Sequence, residues 1–232
     1  MEELAETFVE LADTGVDEFD LDDFLNLLAD RCVRLLNVPA AALWLVEQGG
    51  RTGASGERAR ELAQLEEGPG PDCYRAGESV VVPDLARVTL RWPEFAAAAT
   101  AAGFGATHTV PLRLRTEVIG ALTLFSAAPG ELDKVTDRVA QSMADVATIG
   151  LLQARELRRR TDLAAQLQHA LTSRVVIEQA KGVTGERLGL SMDDAFGALR
   201  RYARSNNLRI TEVAAGIVDG SFDTTVLVQK PE

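Results

Sequence analysis

Seven basic residues in the C-terminal part of the chain have the charge needed to bind phosphate groups. They are Arg174, Lys181, Arg187, Arg200, Arg201, Arg204 and Arg209. Polar side chains that could form hydrogen bonds beside them are those of Gln179, Ser205, Asn206, Asn207 and Thr211. Cations that neutralise phosphates, mixed with polar groups that hold backbone oxygens, are typical of a nucleic-acid contact. On charge alone, a solvated helix face is the more ordinary explanation for the arginines at 200, 201 and 204.

Hydrophobic spacing places these residues on three short helices within residues 170–220. Apolar residues three or four positions apart predict the first helix, which we expect Gly182 and Gly185 to loosen or end. Ser191, followed three residues later by Asp194, predicts the start of the second helix, because both side chains can accept hydrogen bonds from free N–H groups there.

The third helix is predicted to begin at Thr211, whose hydroxyl is a suitable N-cap. Two aromatic residues of the second helix could stack on bases. Phe196 lies in the apolar stripe of that helix and is predicted to be a core residue. Tyr202 is left open between a core position and a contact position.

Three short motifs in this region follow one another at a specific spacing. They are Ile177-Glu178-Gln179-Ala180-Lys181-Gly182, then Asp194-Ala195-Phe196, then Leu199-Arg200. With these motifs, residues 163–220 resemble the ANTAR domain, a three-helix RNA-binding module of bacterial transcription antiterminators. The resemblance implies binding to paired stem-loops in nascent transcripts, which prevents a terminator hairpin from forming.

For the basic and polar residues named above, the resemblance favours contact with RNA over a solvated helix face. The predicted RNA-binding residues are Arg174, Gln179, Lys181, Arg187, Arg200, Arg201, Arg204 and Thr211. Lys181 could instead neutralise the C-terminal end of a helix, where a cation is favourable, but its place in the motif favours RNA contact. Recognition of paired RNA would rest on shape and phosphate contacts, with some loop bases read directly.

The chain is acidic overall, with a formal net charge of −11. Residues 1–154 carry 12 Lys and Arg against 25 Asp and Glu, whereas residues 155–232 carry 12 against 10. The whole surface is therefore unsuited to unspecific nucleic-acid binding. An acidic body with a mildly basic C-terminal part favours a regulator with one local contact region.

Helices and short apolar strands alternate before residue 154 and predict an α+β fold, with an antiparallel sheet packed on helices. Thr107–Leu114 and Val118–Ser126 flank a short turn and predict a hairpin. Four further motifs are Glu67-Gly68-Pro69, Pro83-Asp84-Leu85, Arg91-Trp92-Pro93, and Pro111-Leu112 with Ile119-Gly120-Ala121-Leu122. In this order they resemble the GAF domain, over roughly residues 15–154. That family often has Cys after Gly-Pro where this chain has Gly70, so we predict no thiol chemistry there.

A long helix is predicted from Leu132 to Gly182, because this stretch contains no Pro and only Gly150 interrupts it. The apolar seam on its later part consists of Leu157, Ala164, Leu167 and Leu171. Such a seam is suggestive of a coiled coil, so we expect a homodimer. The predicted organisation is a GAF-like sensor or dimerisation domain over 1–154, a helical linker over 155–162, an ANTAR domain over 163–220 and a tail over 221–232.

Motifs of enzymes and cofactor sites are missing from the sequence. There is no nucleophile elbow, P-loop or metal-binding motif, and His108 and His169 have no companions at metal-ligand spacing. We therefore expect no enzymatic activity, no cofactor and no metal.

Several features predict a cytoplasmic protein that does not enter a membrane. The N-terminal residues lack the basic and apolar regions of a secretory signal. The longest uncharged run, Phe95–Leu112, is predicted to be a helix, a turn and the start of a strand. Cys32 and Cys73 lack a paired spacing and fit a reducing compartment.

The sequence leaves the signal and one rival function open. The GAF-like domain would sense a small molecule, a partner protein or a redox state, or would serve only as a dimer scaffold. The rival is a dimeric interaction module that does not function by binding nucleic acid. Little salt dependence of any nucleic-acid binding would favour it, because phosphate contacts release counterions. An enzyme that uses the GAF-like pocket is disfavoured, because acid–base residues are not clustered.

Overall fold

Five antiparallel strands form one sheet in the first part of the chain. They are β1 (Ala40–Leu45), β2 (Arg51–Ala54), β3 (Val80–Val82), β4 (Ala106–Leu114) and β5 (Glu117–Ser126). Their order across the sheet is β2-β1-β5-β4-β3. The structure is a computed structural model that describes residues 6, 7, 9, 20–46 and 50–228. The predicted β4–β5 hairpin is confirmed, with Arg115 in the left-handed conformation at its turn (φ 57°).

Seven α-helices lie within the described residues. They are α1 (Leu21–Leu36), α2 (Glu57–Ala63), α3 (Pro69–Ala76), α4 (Pro93–Ala101), α5 (Lys134–Leu188), α6 (Met192–Ser205) and α7 (Ile210–Asp219). Short 3-10 helices cover Leu85–Arg87 and Thr224–Leu227. The chain divides into two compact units, Met1–Leu157 and Arg158–Glu232, and α5 contributes residues to both. The predicted α+β class is confirmed.

One face of the sheet is covered by α1 and the first part of α5. Leu25 and Leu28 of α1, Leu122 of β5 and Met143 of α5 belong to one buried cluster. Helix α1 approaches β2 closely at Gly53, where a Cβ atom would clash with Leu25 Cβ and the Leu25 backbone. Any side chain at position 53 would therefore push α1 away from β2.

The opposite face of the sheet is covered by α2, α3 and α4. Leu62, Trp92 and Phe95 pack there with Phe125 of β5 in a second buried cluster. Phe104, which follows α4, stacks on Phe125 with 4.7 Å between the ring centroids. Both faces of the sheet are thus buried, which agrees with the nearly uninterrupted apolar runs of β1 and β5.

The motif residues around positions 67 and 92 connect the segments on this second face. Glu67 Oε1 accepts hydrogen bonds from the backbone N–H groups of Glu94 (2.6 Å) and Phe95 (3.0 Å). These donors lie in the first turn of α4, where N–H groups have no partner within the helix. Asp72 of α3 forms an ion pair with Arg91 at 2.6 Å. Two of the motifs that resemble the GAF family therefore stabilise the packing of α3 and α4.

Helix α5 begins two residues later than predicted. Its first turn is capped by Asp133, whose carboxylate accepts hydrogen bonds from the backbone N–H groups of Val135 (2.9 Å) and Thr136 (3.1 Å). The Thr136 hydroxyl also donates to this carboxylate, and together these hydrogen bonds lower the pKa of Asp133. Leu132 is therefore outside the helix, because the cap fixes the start at Lys134.

Gly182 and Gly185 were expected to loosen or end this helix, and the predicted end there is wrong, because α5 continues to Leu188. Val183 and Leu188 pack against the buried cluster of the second unit, and this packing outweighs the low helix propensity of glycine. The helix ends at Gly189, which has the left-handed conformation (φ 65°) common after a helix C-terminus.

Helix α6 begins as predicted, whereas α7 does not. Ser191 caps α6, since its hydroxyl accepts a hydrogen bond from the Asp194 N–H at 3.1 Å. Thr211 lies inside α7, and Arg209 occupies the N-cap position instead. The Glu212 carboxylate accepts a hydrogen bond from the Arg209 N–H at 3.1 Å, which places the first turn two residues earlier than Thr211 would.

The second unit has its own buried core, formed by the end of α5 with α6 and α7. Its buried residues are Ala180, Ala198, Leu199, Ala203, Val213, Ala214, Ile217 and Leu227. Part of the predicted tail belongs to this core, because Leu227 is buried and Phe222 contacts Tyr202 edge-to-face at 5.1 Å. The segment after Gly220 is too short for its sequence pattern to predict this packing.

The cap on α4 makes a stability prediction. Replacing Glu67 with Ala removes the acceptor for two N–H groups and should lower the free energy of unfolding by about 1–2 kcal/mol. Urea unfolding followed by tryptophan fluorescence measures this, because Trp92 lies next to the capped turn. Glu66→Ala is the matched control, since Glu66 is exposed. Equal unfolding midpoints for the two variants would contradict the capping role.

Candidate nucleic-acid interface

The eight predicted RNA-binding residues all lie in the three helices of the second unit. Arg174, Gln179, Lys181 and Arg187 belong to α5, Arg200, Arg201 and Arg204 to α6, and Thr211 to α7. The side chains of the six arginine and glutamine residues are exposed, whereas those of Lys181 and Thr211 are half-buried. The structure thus leaves most of the predicted cations accessible to an anionic partner.

Lys181 is the predicted residue that links two helices of the unit. Its ammonium group lies 2.8 Å from Glu178 Oε2 and 5.7 Å from the centroid of the Phe196 ring on α6. Only 16% of its side chain is exposed, whereas 58% of the Glu178 side chain is exposed. An ion pair with an exposed partner contributes little stability, so a phosphate could replace Glu178 at small cost.

The three arginines of α6 lie outside the apolar stripe that faces the core. That stripe consists of Ala195, Ala198, Leu199 and Ala203. Within the described residues, Arg200, Arg201 and Arg204 form no ion pair with an acidic side chain. The guanidinium of Arg201 lies along the helix, 3.3 Å from the position that a Cβ on Gly197 would take. These arginines therefore add positive charge that the protein itself does not neutralise.

The remaining predicted residues are not brought together by the structure. Arg174 precedes Lys181 by two turns of α5, about 10 Å along the helix axis. Arg187 lies near Asp223 beyond α7; the Thr225 backbone N–H and hydroxyl, and then the Arg187 charge, lower the pKa of Asp223. Thr211 is half-buried within α7. Their assignment to an RNA contact stays a prediction.

The structure contradicts the predicted core position of Phe196 and places Tyr202, which the sequence left open, against the core. Phe196 is 37% exposed and lies outside the buried cluster of the unit. Tyr202 is half-buried against Phe222 and packs on that cluster. The physical reason is helical geometry, because Ala195 and Leu199 already occupy the core positions and Phe196 follows one residue, about 100°, later. The prediction that Phe196 is a core residue is therefore wrong.

A cavity of about 550 Å³ lies in the first unit, beyond the ends of β1, β2 and β5. Its lining consists of Pro39, Ala40, Ser55, Gly56, Glu57, Arg58, Ala59, Ala102, Gly103, Phe104 and Ala127. Small apolar side chains dominate the wall, with the Phe104 ring on one side and Arg58 as the cation of the lining. Such a cavity suits a small molecule with an apolar part and a polar part.

Neither cysteine is placed for thiol chemistry. Cys32 and Cys73 are both buried and unpaired, and burial raises the pKa of each thiol to about 12. A thiol reacts as its thiolate, so both groups are weak nucleophiles at neutral pH.

Two searches of the described residues bear on metals and membranes. They hold no group of three or more His, Cys, Asp or Glu side chains placed to bind a metal ion. None of the helices they form is both long and apolar enough to cross a membrane.

Comparison with protein families finds two domains in the chain. The model described as GAF domain matches residues 19–151, and the model described as ANTAR domain matches residues 165–218. The first match covers the five-stranded sheet and its helices, and the second covers the three-helix unit with the predicted RNA-binding residues. No curated protein matches the chain as a whole.

Solved structures resemble the first part of the chain in fold. The GAF domain of a phosphoenolpyruvate-protein phosphotransferase from Coxiella burnetii is 13% identical, with a TM-score of 0.53, over 68% of this chain and 98% of that one. The corresponding Acinetobacter domain is also 13% identical, with a TM-score of 0.51, over 67% and 93%. Free methionine-R-sulfoxide reductase from Neisseria meningitidis is 17% identical, with a TM-score of 0.50, over 66% and 91%. These identities show a shared fold and no more.

The buried thiols make a reactivity prediction. At pH 8 a thiol with a pKa of about 12 is ionised in roughly one molecule in ten thousand, so alkylation by iodoacetamide should be very slow in the folded protein. Mass spectrometry of the intact chain measures the number of adducts. The protein unfolded in guanidinium is the control and should take up two adducts. Rapid labelling of one cysteine in the folded protein would contradict its burial.

Proposed function

Because this chain belongs to the GAF domain family and carries an ANTAR domain after it, we propose that it is a signal-responsive RNA-binding regulator. In this proposal the ANTAR domain binds paired hairpins in nascent transcripts and prevents termination of transcription. The observation that carries the proposal is the exposed set of cations on a three-helix ANTAR domain within a chain of net charge −11. A local basic surface on an acidic protein favours one specific anionic partner over general adhesion.

The proposed RNA contact is centred on α5 and α6. Lys181 and Arg200 are assigned to phosphate groups, because Lys181 is held beside α6 and Arg200 is exposed without an acidic partner in the described residues. Arg201 and Arg204 extend the positive charge along α6, while Arg174, Gln179, Arg187 and Thr211 are assigned to the periphery. Contacts of this kind recognise the shape of a folded RNA, with bases read at its loops.

We propose that the active form is a homodimer joined along α5. The apolar side chains of Leu163, Leu167, Leu171 and Val175 are each more than half exposed and recur every fourth residue. Leu157 is exposed in the same way. Helices with such a stripe are stabilised by pairing with a second helix, and two ANTAR domains would then be available for two hairpins.

The GAF domain is proposed to receive the signal. Its cavity of about 550 Å³ is large enough for a small metabolite, although a protein partner would serve the same role. A change in the sheet could reach α5 through His108 of β4, whose Nε2 lies 2.8 Å from Asp137 Oδ1 in the first turns of the helix. Helix α5 would then carry the change towards the ANTAR domain.

GAF and ANTAR are regulatory domains, and we propose no catalytic activity, cofactor or metal for this chain. Binding to nascent transcripts places the proposed activity in the cytoplasm. One rival function is favoured by a specific observation: the exposed α5 stripe would also suit a dimeric interaction module that binds no nucleic acid. Phosphate contacts release counterions, so the salt dependence of RNA binding separates the two functions.

The RNA contact makes a binding prediction. The probe is a labelled RNA with two tandem stem-loops. It is selected by binding to the full chain from a pool of such RNAs with randomised loop sequences. Lys181→Ala and Arg200→Ala should each weaken binding about ten-fold and reduce the salt slope by about one, because each variant loses a phosphate contact. Fluorescence anisotropy at two salt concentrations measures both quantities.

Arg113→Ala is the matched control, because Arg113 is an exposed cation of the GAF domain and should leave binding unchanged. Melting temperatures should stay close to that of the unmodified protein, since both substituted side chains are peripheral to the core. Binding by Lys181→Ala and Arg200→Ala as tight as that of the unmodified chain would exclude this site. Failure to enrich any RNA would favour the interaction module.

The α5 stripe makes a prediction about mass. Sedimentation should give twice the chain mass of 24.9 kDa for the unmodified protein. Leu167→Glu should lower the measured mass towards that of one chain, because two carboxylates would be buried in the seam. His169→Glu places a carboxylate on the opposite side of the helix, about 200° from Leu167, at an exposed position and should remain dimeric. A dimer that tolerates Leu167→Glu would have to be joined elsewhere.

A further inference from the structure

Four glycines lie inside the helices of the ANTAR domain, which is unusual because glycine destabilises helix interiors. Two of them are explained by packing. A Cβ on Gly185 would lie 3.0 Å from the Leu190 carbonyl oxygen, and a Cβ on Gly216 would lie 3.1 Å from Phe222 Cβ. Both distances are tighter than ordinary van der Waals contact, and the neighbouring atoms would have to shift to admit a side chain, so close packing within the protein accounts for these glycines.

The other two glycines have no such explanation. In the described part of the chain, nothing lies within 4 Å of the position that a Cβ on Gly182 would take. A Cβ on Gly197 would meet only the end of the Arg201 side chain, at 3.3 Å, and that side chain can move. Alanine would fit at both positions and would favour the helix. The missing side chains therefore point to something outside the chain that approaches the backbone closely.

The two unexplained glycines directly follow the two residues that join α5 to α6. Gly182 follows Lys181, and Gly197 follows Phe196, whose ring centroid lies 5.7 Å from the Lys181 ammonium group. Phe196 is exposed although it is aromatic and sits beside core positions. A cation and an exposed ring that meet between α5 and α6 are thus each followed by an open backbone position, and Arg201 adds a second cation next to Gly197.

We propose that Lys181, Gly182, Phe196 and Gly197 form a docking surface for an unpaired loop nucleotide of the RNA. One base stacks on the Phe196 ring, and Lys181 neutralises the neighbouring phosphate. The sugar-phosphate backbone approaches α5 and α6 at the two glycines, where a methyl group would hold it away. This inference rests on the proposed RNA-binding function and assigns a role to the part of the surface that reads a loop.

RNA is favoured over a protein partner by charge and by chemistry. Two cations flank the glycines, so the surface suits a polyanion. An aromatic ring next to a cation suits a nucleobase attached to a phosphate, because every base can stack on an aromatic face. A second copy of this chain is the alternative occupant at Gly182, and the measurements below distinguish it.

The test compares stability with binding in the full chain. Gly182→Ala and Gly197→Ala should melt at the same or a higher temperature than the unmodified protein, because alanine favours the helix. Each should nevertheless bind the enriched two-stem-loop RNA about ten-fold more weakly. Phe196→Leu should also bind about ten-fold more weakly, whereas Phe196→Tyr, which keeps a ring, should bind nearly normally. Ala165→Gly is the opposite control. This variant should have a lower melting temperature, because glycine destabilises a helix, but should bind the RNA with unchanged affinity.

Stacking has its own signature. The fluorescent base 2-aminopurine is placed in turn at each loop position of the RNA. At one position its fluorescence should be quenched by the unmodified protein and by Phe196→Tyr, but not by Phe196→Leu. Affinities of both glycine variants within about two-fold of the unmodified chain would overturn the proposal. So would a loss of affinity accompanied by a fall in mass, which would assign Gly182 to the dimer seam. If no RNA is enriched at all, the proposed function fails and this inference fails with it.

Discussion

Burial of α5 side chains in two separate cores is the packing constraint on which both units depend. Near its start, Ala140, Met143 and Ala147 pack under the sheet, and near its end Ala180 packs under α6 and α7. Residues 155–172 between these regions are all exposed. Because helices gain most of their stability from packing, an exposed middle with an apolar stripe needs a partner helix. The same constraint therefore links the fold of each unit to the proposed dimer.

Charge in this protein is arranged by region. The GAF part is strongly acidic, and the cations of α6 remain without acidic partners among the described residues. Lys181 differs, because Glu178 holds its ammonium group close to Phe196. In the proposed RNA complex a phosphate would replace the exposed Glu178 carboxylate, and the lysine is already positioned for it in the free protein. Such positioning reduces the entropy lost on binding.

The motif residues that carry the family resemblances have different roles in the two units. In the GAF part, Glu67 caps α4 and Asp72 pairs with Arg91, so the motifs there are explained by packing and capping. In the ANTAR part, the lack of a side chain at Gly182 and the exposure of the Phe196 ring are not explained by packing among the described residues. A motif residue that the fold does not need is a better candidate for a contact with a partner than one that the fold requires.

Local patterns in the sequence were sufficient for most of the elements and for the α+β class, because period, caps and turns are encoded in neighbouring residues. The two domain families were identified by short motifs that resemble them. The Ser191 cap and the β4–β5 hairpin are examples. Tertiary packing alone decided that α5 passes through Gly182, that Phe196 is exposed and that Phe222 covers Tyr202. Each of these depends on which neighbour from a distant helix fills the space. A one-dimensional pattern carries no information about that space, so only the folded chain could show where the candidate surface lies.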